Sequence, residues 1–348
     1  MIASWFVSDI VRNPATHRDE HEVRHIVQAI GSSSIAKAQE FVKDYIPKEG
    51  PHKPAVYASY EEVYNDPNVD IIYVATPHSL HMKNTLDAIK AGKHVLCEKP
   101  MAINAAETKK MVDAARAKGV FLMEGSVWTR FFPVAKELQK LIHNDKAIGT
   151  VRRAFLDFAQ DRPFDTLPSD SRGRDPKLGA GVLLDMGMYT LTWASMVFHS
   201  NLKAKDAGQE HEQPKVVSRM SLNGGADEMS TVVLEYPKSH AQAICTSSYL
   251  STTNHEFGLV EGTDGSIGIY GETTSKPGGL VLRVKGKEPQ RMDFPVDGWG
   301  LFYEADAVAK NVRDGKTENE SMPLDESMRV MRIIDEARQQ NGLKYPQE

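Results

Sequence analysis

Short apolar runs, each closed by a turn and followed by residues at helical spacing, fill the first 125 residues. This alternation constrains the fold more than any other feature of the 348-residue chain. His25–Gly31, Val69–Ala75, Lys93–Cys97 and Val120–Met123 read as strands. Between them, Ile35–Tyr45, a segment running to Ala91, and Asn104–Lys118 carry apolar positions three and four apart, as helices with one buried face do. Asn104 with Glu107 resembles a capping pair, and Gly92 and Gly119 stand where helices stop. Strands separated by helices need crossover connections, so they pair in parallel within a sheet covered on both faces. Upstream of all this, Ile2, Trp5, Phe6 and Ile10 place residues 2–11 in an amphipathic helix that enters its apolar pattern at once.

After about residue 125 the pattern changes. A helix over Pro133–His143 and a strand over Val151–Ala159 precede an Arg-, Asp- and Pro-rich loop, Gln160–Leu178, and loops of that length in compact domains are usually functional. Gly179-Ala180-Gly181 opens an apolar helix running to Phe198. Six strand candidates follow, Val216–Leu222, Met229–Tyr236, Ala241–Ser248, Phe257–Gly262, Ser266–Tyr270 and Gly279–Val284, then helices over Phe302–Arg313 and Leu324–Gln340. The expectation is an α/β chain: a Rossmann-like parallel-sheet domain over 1–125, then an α+β domain with a large, mostly antiparallel open sheet over 126–348. The closing helices are expected to pack back on the first domain.

With 42 Lys+Arg against 47 Asp+Glu the formal charge is -5, which gives no electrostatic footprint for nucleic acid or an anionic membrane. No apolar run reaches the roughly 18 residues of a membrane span. Cys97 and Cys245 are too few for a disulfide framework, and neither they nor the scattered histidines have metal-ligand spacing. A reducing, cytoplasmic setting and a small-molecule partner fit this composition.

In such a sheet, ligands bind beyond the carboxyl ends of the strands, where Thr76-Pro77-His78 and Glu98-Lys99-Pro100 fall. Lys99 reads as a functional amine or as a lysine snorkelling from a strand end. Asp185 and Tyr189 share a helix face, either as a site or as a hydrogen-bonded core pair. With Lys99 nearby, an ammonium lowering the tyrosine pKa makes a general base for an alcohol proton, which suits hydride transfer to a nicotinamide. His78 and His81 flank a helix start and are candidate ligand contacts. Trp128, Arg130, Phe131 and Phe132 form an aromatic-basic cluster that reads as a cleft wall or as core. Cys97, without an activating partner, reads as an inert thiol. Gly31-Ser32-Ser33-Ser34 carries no acid for a ribose 2′-hydroxyl and leaves room for a 2′-phosphate, favouring NADP over NAD, with Lys37 one turn on.

Ala75-Thr76-Pro77-His78-Ser79-Leu80-His81, Gly92 to Pro100 and Gly181 to Tyr189 together resemble the Gfo/Idh/MocA oxidoreductases. Within that family the chain is similar to the branch of dimeric dihydrodiol dehydrogenases and fungal NADP-dependent D-xylose 1-dehydrogenases. Tyr303-Glu304-Ala305-Asp306 and Met322 through Ser327 match the family's C-terminal pattern. The resemblance implies Lys99, Asp185 and Tyr189 as catalytic residues. It places Ser32, Ser33, Ser34, Thr76, Pro77, His78, His81, Glu98, Lys99 and Pro100 against the cofactor, and Trp128 and Arg130 along the substrate. It implies NADP, a homodimer built on the open sheet, no metal, and oxidation of a sugar hemiacetal to a lactone or of a trans-dihydrodiol to a catechol. The family's first strand and glycine-rich loop are expected to precede Ile2. Without them, the two strands that would flank the absent central one lack partners on that side and cofactor affinity falls, which leaves a non-catalytic binding or regulatory homologue, or an N-terminally truncated form with impaired cofactor binding, as the alternative.

Overall fold

The computed structural model describes residues 2–12, 22–47, 52–125, 128–199 and 212–348; the side chain of Trp128 lies outside that description. Helix α1 (Ile2–Ile10) leads into β1 (Ala29–Gly31), α2 (Ile35–Tyr45), β2 (Ala55–Tyr57), α3 (Tyr60–Asn65) and β3 (Ile71–Val74). Helix α4 (His81–Lys90), β4 (His94–Cys97), α5 (Ala105–Lys118) and β5 (Leu122–Glu124) complete the first layer. Strands pair in parallel within two ladders, β1-β2 and β3-β4-β5. The Asn104 side chain accepts from the Glu107 amide at 2.8 Å, and Gly119 ends α5 in the left-handed region.

Among the described residues the two ladders share no hydrogen bond. A groove of about 730 Å³ separates them, lined by Gly31 and Ser32 on one side and by Ile71, Tyr73 and Thr76 on the other. Helix α1 crosses beside the groove, with Phe6 stacked on Tyr73 at 3.8 Å and Trp5 on Trp299 at 4.0 Å. Asp9 accepts amides of Trp299 and Leu301, which fastens α1 to the second half of the chain.

That second half is built on an eight-stranded sheet of order β13-β12-β11-β10-β6-β9-β8-β7, with β6 at Val151–Ala159, β7 at Lys215–Asn223, β8 at Ala226–Tyr236 and β9 at Ala241–Ser248. It continues with β10 at Glu256–Gly262, β11 at Gly265–Thr273, β12 at Lys276–Val284 and β13 at Gln290–Asp293. All pairs are antiparallel except β6 with β9. One face buries α6 (Pro133–Gln139) and α7 (Met188–Phe198), and α8 (Phe302–Arg313) and α9 (Leu324–Gln340) follow. The helix expected from residue 182 is in fact a π-helical turn over Leu183–Gly187 continued by α7. Glycine permits that start: a Cβ on Gly181, at φ 128°, would sit 2.2 Å from an Asp227 carboxylate oxygen, and one on Gly187 would press Leu183 and Ser247.

Candidate active site

Two chain reversals meet at the ends of β3 and β4. After β3, Thr76-Pro77 turns into a short 3₁₀ segment, His78–Leu80. After β4, Glu98-Lys99 runs into Pro100 through a cis peptide bond. Fully buried His81 holds both reversals, with ring nitrogens 2.8 Å from the carbonyl oxygens of Thr76 and Pro100. Burial pushes His81 down to about 4 against the pull of the two carbonyls, and the uncharged ring at neutral pH donates to one of them and only faces the other. Its expected ligand contact is therefore corrected: both nitrogens face protein carbonyls, and the residue shapes the turns. Asn84 donates to the Thr76 hydroxyl at 3.0 Å. Glu98 is buried and accepts from the Tyr73 hydroxyl.

Lys99 crosses to the second half of the chain. Its ammonium donates to the Asp185 backbone carbonyl at 2.6 Å and to Asp185 Oδ1 at 2.9 Å, and lies 5.1 Å from the centre of the Tyr189 ring. The three residues predicted as catalytic thus converge, at the π-helical turn where Asp185 sits. Three further partners of Asp185 were not foreseen. Arg162 reaches Oδ2 at 3.0 Å, the Tyr249 hydroxyl donates to Oδ2 at 2.9 Å, and Arg172 stands 3.6 Å from Oδ1. Both arginines come from the long loop singled out in the sequence for its length and charge. Tyr249, just past β9, offered no sequence signal.

The electrostatics follow from this packing. Burial alone would raise Asp185, but Lys99, Arg172 and Arg162 outweigh it and hold the carboxyl well below its usual range. Burial lowers Lys99, opposed by Asp185. His78 donates from Nδ1 to the Gly179 carbonyl at 2.9 Å; burial, then His81 and Lys99, keeps it neutral and leaves Nε2 facing Arg172 at 3.5 Å. Tyr189 departs from expectation. Burial first, then the carboxylates of Glu98, Asp185 and Glu304, push its phenol well above 10, so in the free protein Lys99 does not bring it toward neutrality.

Arg130 is also placed differently from the reading that put it along the substrate. Its guanidinium is buried against Glu326 of α9, which Arg329 also pairs at 2.6 Å, and no contact links it to Lys99, Asp185 or Tyr189. At the far end of the groove, Ser34 caps α2, and Lys37 Nζ lies 3.5 Å from the Ser33 hydroxyl. Burial pushes the Cys97 thiol up, as an inert core group requires. Among the described residues no cluster of His, Cys, Asp and Glu is placed to hold a metal, and no helix is long and apolar enough to cross a membrane.

Comparison with known proteins covers almost the whole chain. D-xylose 1-dehydrogenase (NADP(+)) of Hypocrea jecorina is 36% identical over 99% of this chain and 91% of its own. Trans-1,2-dihydrobenzene-1,2-diol dehydrogenase of Macaca fascicularis is 35% identical over 100% and 96%. Among solved structures, aldose-aldose oxidoreductase from Caulobacter crescentus superposes with a TM-score of 0.75 at 26% identity, covering 95% of this chain and 92% of that one. The model of the oxidoreductase family with an NAD-binding Rossmann fold matches residues 6–126, and that of the GFO/IDH/MocA C-terminal domain matches residues 135–273. With both halves matched in order, the chain belongs to the GFO/IDH/MocA oxidoreductase family.

Proposed function

We propose that the chain is an NADP-dependent dehydrogenase. It oxidises a cyclic sugar hemiacetal at its anomeric carbon, in the manner of D-xylose to D-xylono-1,5-lactone, or a trans-1,2-dihydrodiol at a carbinol carbon. The convergence of Lys99, Asp185 and Tyr189, brought together from both layers, carries this reading. The residues present fit both ends of the cofactor. The Ser33 hydroxyl and the Lys37 ammonium suit a 2′-phosphate at the end of β1, while Thr76, Pro77, Glu98, Lys99 and Pro100 suit the nicotinamide end. When bound, oxidised NADP supplies the hydride acceptor and a positive charge that offsets the carboxylates around Tyr189.

Within that site, Tyr189 receives the proton of the reacting hydroxyl, and the Lys99 ammonium beside its ring favours the phenolate that must form. Asp185 fixes Lys99 through two hydrogen bonds and keeps it charged despite burial. The retained trio speaks against the non-catalytic alternative. A homodimer belongs to the same proposal. Across β10, β6, β9, β8 and β7 the ladder register aligns Leu259, Phe155, Ile244, Val233 and Val217 in one apolar row on the outer face of the sheet. Cytoplasmic residence, with two free buried cysteines, completes the reading.

The test is spectrophotometric: NADPH or NADH formation with D-xylose, D-glucose and a trans-dihydrodiol, for the wild-type chain and for Lys99→Met and Tyr189→Phe. Turnover of at least one substrate with NADP is expected. Each variant should lose about a hundredfold or more, the scale of a missing acid-base group, while melting as a folded protein. Wild-type rates in both variants would remove the assigned roles.

A further inference from the structure

Asp185 has its oxygens filled. Oδ1 faces Lys99 and Arg172, and Oδ2 faces Arg162 and Tyr249, so this carboxylate has little left to offer a substrate. The four partners differ in how firmly they are held. Lys99 is 10% exposed and doubly bonded, Tyr249 is buried, and Arg162 lies over the Tyr249 ring at 4.9 Å. Arg172 is 50% exposed and stands beyond hydrogen-bond distance of Asp185, at 3.6 Å. Its direction is nonetheless set, because neutral His78, donating to Gly179, turns its Nε2 lone pair toward Arg172. A guanidinium has five N–H donors in a rigid fork, so one aimed by Asp185 and His78 and half exposed still has donors on its solvent side.

We propose that Arg172 is a specificity-determining residue whose outward N–H groups bind hydroxyls on the far edge of a polyhydroxylated ring, so that the chain takes cyclic sugars in preference to arene dihydrodiols. The inference rests on the function proposed above and narrows its substrate class. With the reacting carbon held near Lys99 and Tyr189, a pyranose presents further hydroxyls toward loop 160–178. A dihydrodiol presents only a hydrocarbon diene there, which would take water from the guanidinium without replacing its hydrogen bonds. Sites built to hydrogen-bond a hydroxyl reject analogues that lack it more strongly than apolar pockets reject a changed methylene.

The experiment compares wild type, Arg172→Met, Arg172→Lys and, as a loop control, Arg174→Met, whose side chain instead bonds the Leu167 carbonyl. Two readouts are taken with D-xylose and with a trans-dihydrodiol: kcat/KM with NADP, and calorimetric binding of each ligand to the NADPH-loaded protein, which cannot oxidise it. Arg172→Met should lower the sugar-to-dihydrodiol ratio by about tenfold or more in both readouts, the scale of losing one hydrogen bond to a charged group. Arg172→Lys should recover part of it and Arg174→Met should leave it unchanged. An unchanged ratio in Arg172→Met, or equal losses for both ligands, overturns the proposal. If the wild type binds the ligands but turns over neither, the dehydrogenase reading fails while the binding ratio still decides the role of Arg172.

Discussion

Replacing Asp185 with Asn keeps the shape of the site and removes the negative charge hydrogen-bonded to Lys99 in the interior. The two side chains are 12% and 10% exposed and 2.9 Å apart, so their pair is largely desolvated. Taking one partner from a buried pair costs about 3–5 kcal/mol, because the other charge is left without compensation. The lower end applies here. Lys99 keeps the residue-185 backbone carbonyl at 2.6 Å, and Arg162 and Arg172, 38% and 50% exposed, can turn to water and add little. A loss of about 3 kcal/mol, set against an unfolding entropy of about 2.1 cal/mol/K per residue over this chain, lowers Tm by about 4 °C. The pH dependence identifies the cause. Asp185 is held well below 3.8 when folded, so the unfolded chain binds its proton first. Its contribution is then complete above the unfolded value of about 3.9 and is lost as pH falls through the folded one. Urea melts of wild type and Asp185→Asn should differ fully at pH 6–7, and the gap should narrow below about pH 4. In a Lys99→Met background the same substitution should cost much less. A difference under about 1 kcal/mol at pH 7, or one of equal size at pH 3.5, would refute the charge argument.

Two further outcomes follow from the geometry. Because burial and three carboxylates raise Tyr189 well above 10, kcat/KM for alcohol oxidation should climb close to tenfold per pH unit up to at least pH 9; a plateau below pH 8 would show a base already lowered in the free enzyme. Glu326→Gln strands Arg130 in the interior and should cost about 3–5 kcal/mol in urea melts, whereas a change under about 1 kcal/mol would mean that the pair is solvated.

The chemistry-bearing segments were legible wherever a residue's role depends on its neighbours in sequence. Lys99 follows a short apolar strand and precedes proline, and Asp185 and Tyr189 interrupt an apolar stretch. Ser59 and Glu62 form a capping box that could have revealed α3, and with it β2, which three residues made too short to stand out. Strand β13, Gln290–Asp293, alternates no apolar face and pairs only along a sheet edge, so it carries no periodic signal. What sequence spacing could not supply is long-range charge. Asp185 meets Tyr249 across 64 positions, and Arg130 meets Glu326 across 196. Burial, then Glu98, Asp185 and Glu304 from separate elements, raises the phenol of Tyr189, so a prediction made from Lys99 alone has the sign of the shift reversed.

The site lies between two layers, and its distances depend on what holds those layers together. Lys99 and Asp185 belong to different layers, so the 2.9 Å contact between them reports relative placement as much as local conformation. Helix α9 and the residues after it set that placement from the opposite side of the molecule. Asp335 accepts the Ala105 amide at 2.9 Å and Arg338 donates to the Ile103 carbonyl at 2.9 Å, both in the first layer just beyond Pro100. From the same stretch, Ser218 donates to the Ala337 carbonyl and Asn341 accepts the Met220 amide, both on β7 of the second layer. Tyr345 then donates to the Ala180 carbonyl at 2.6 Å, at the turn that opens the π-helical segment carrying Asp185. One C-terminal strut therefore grips the chain beside Lys99 and beside Asp185. These C-terminal residues hold Lys99 and Asp185 in register, because a shift of about 1 Å between layers would part an ammonium and a carboxylate that each lack water to replace the other.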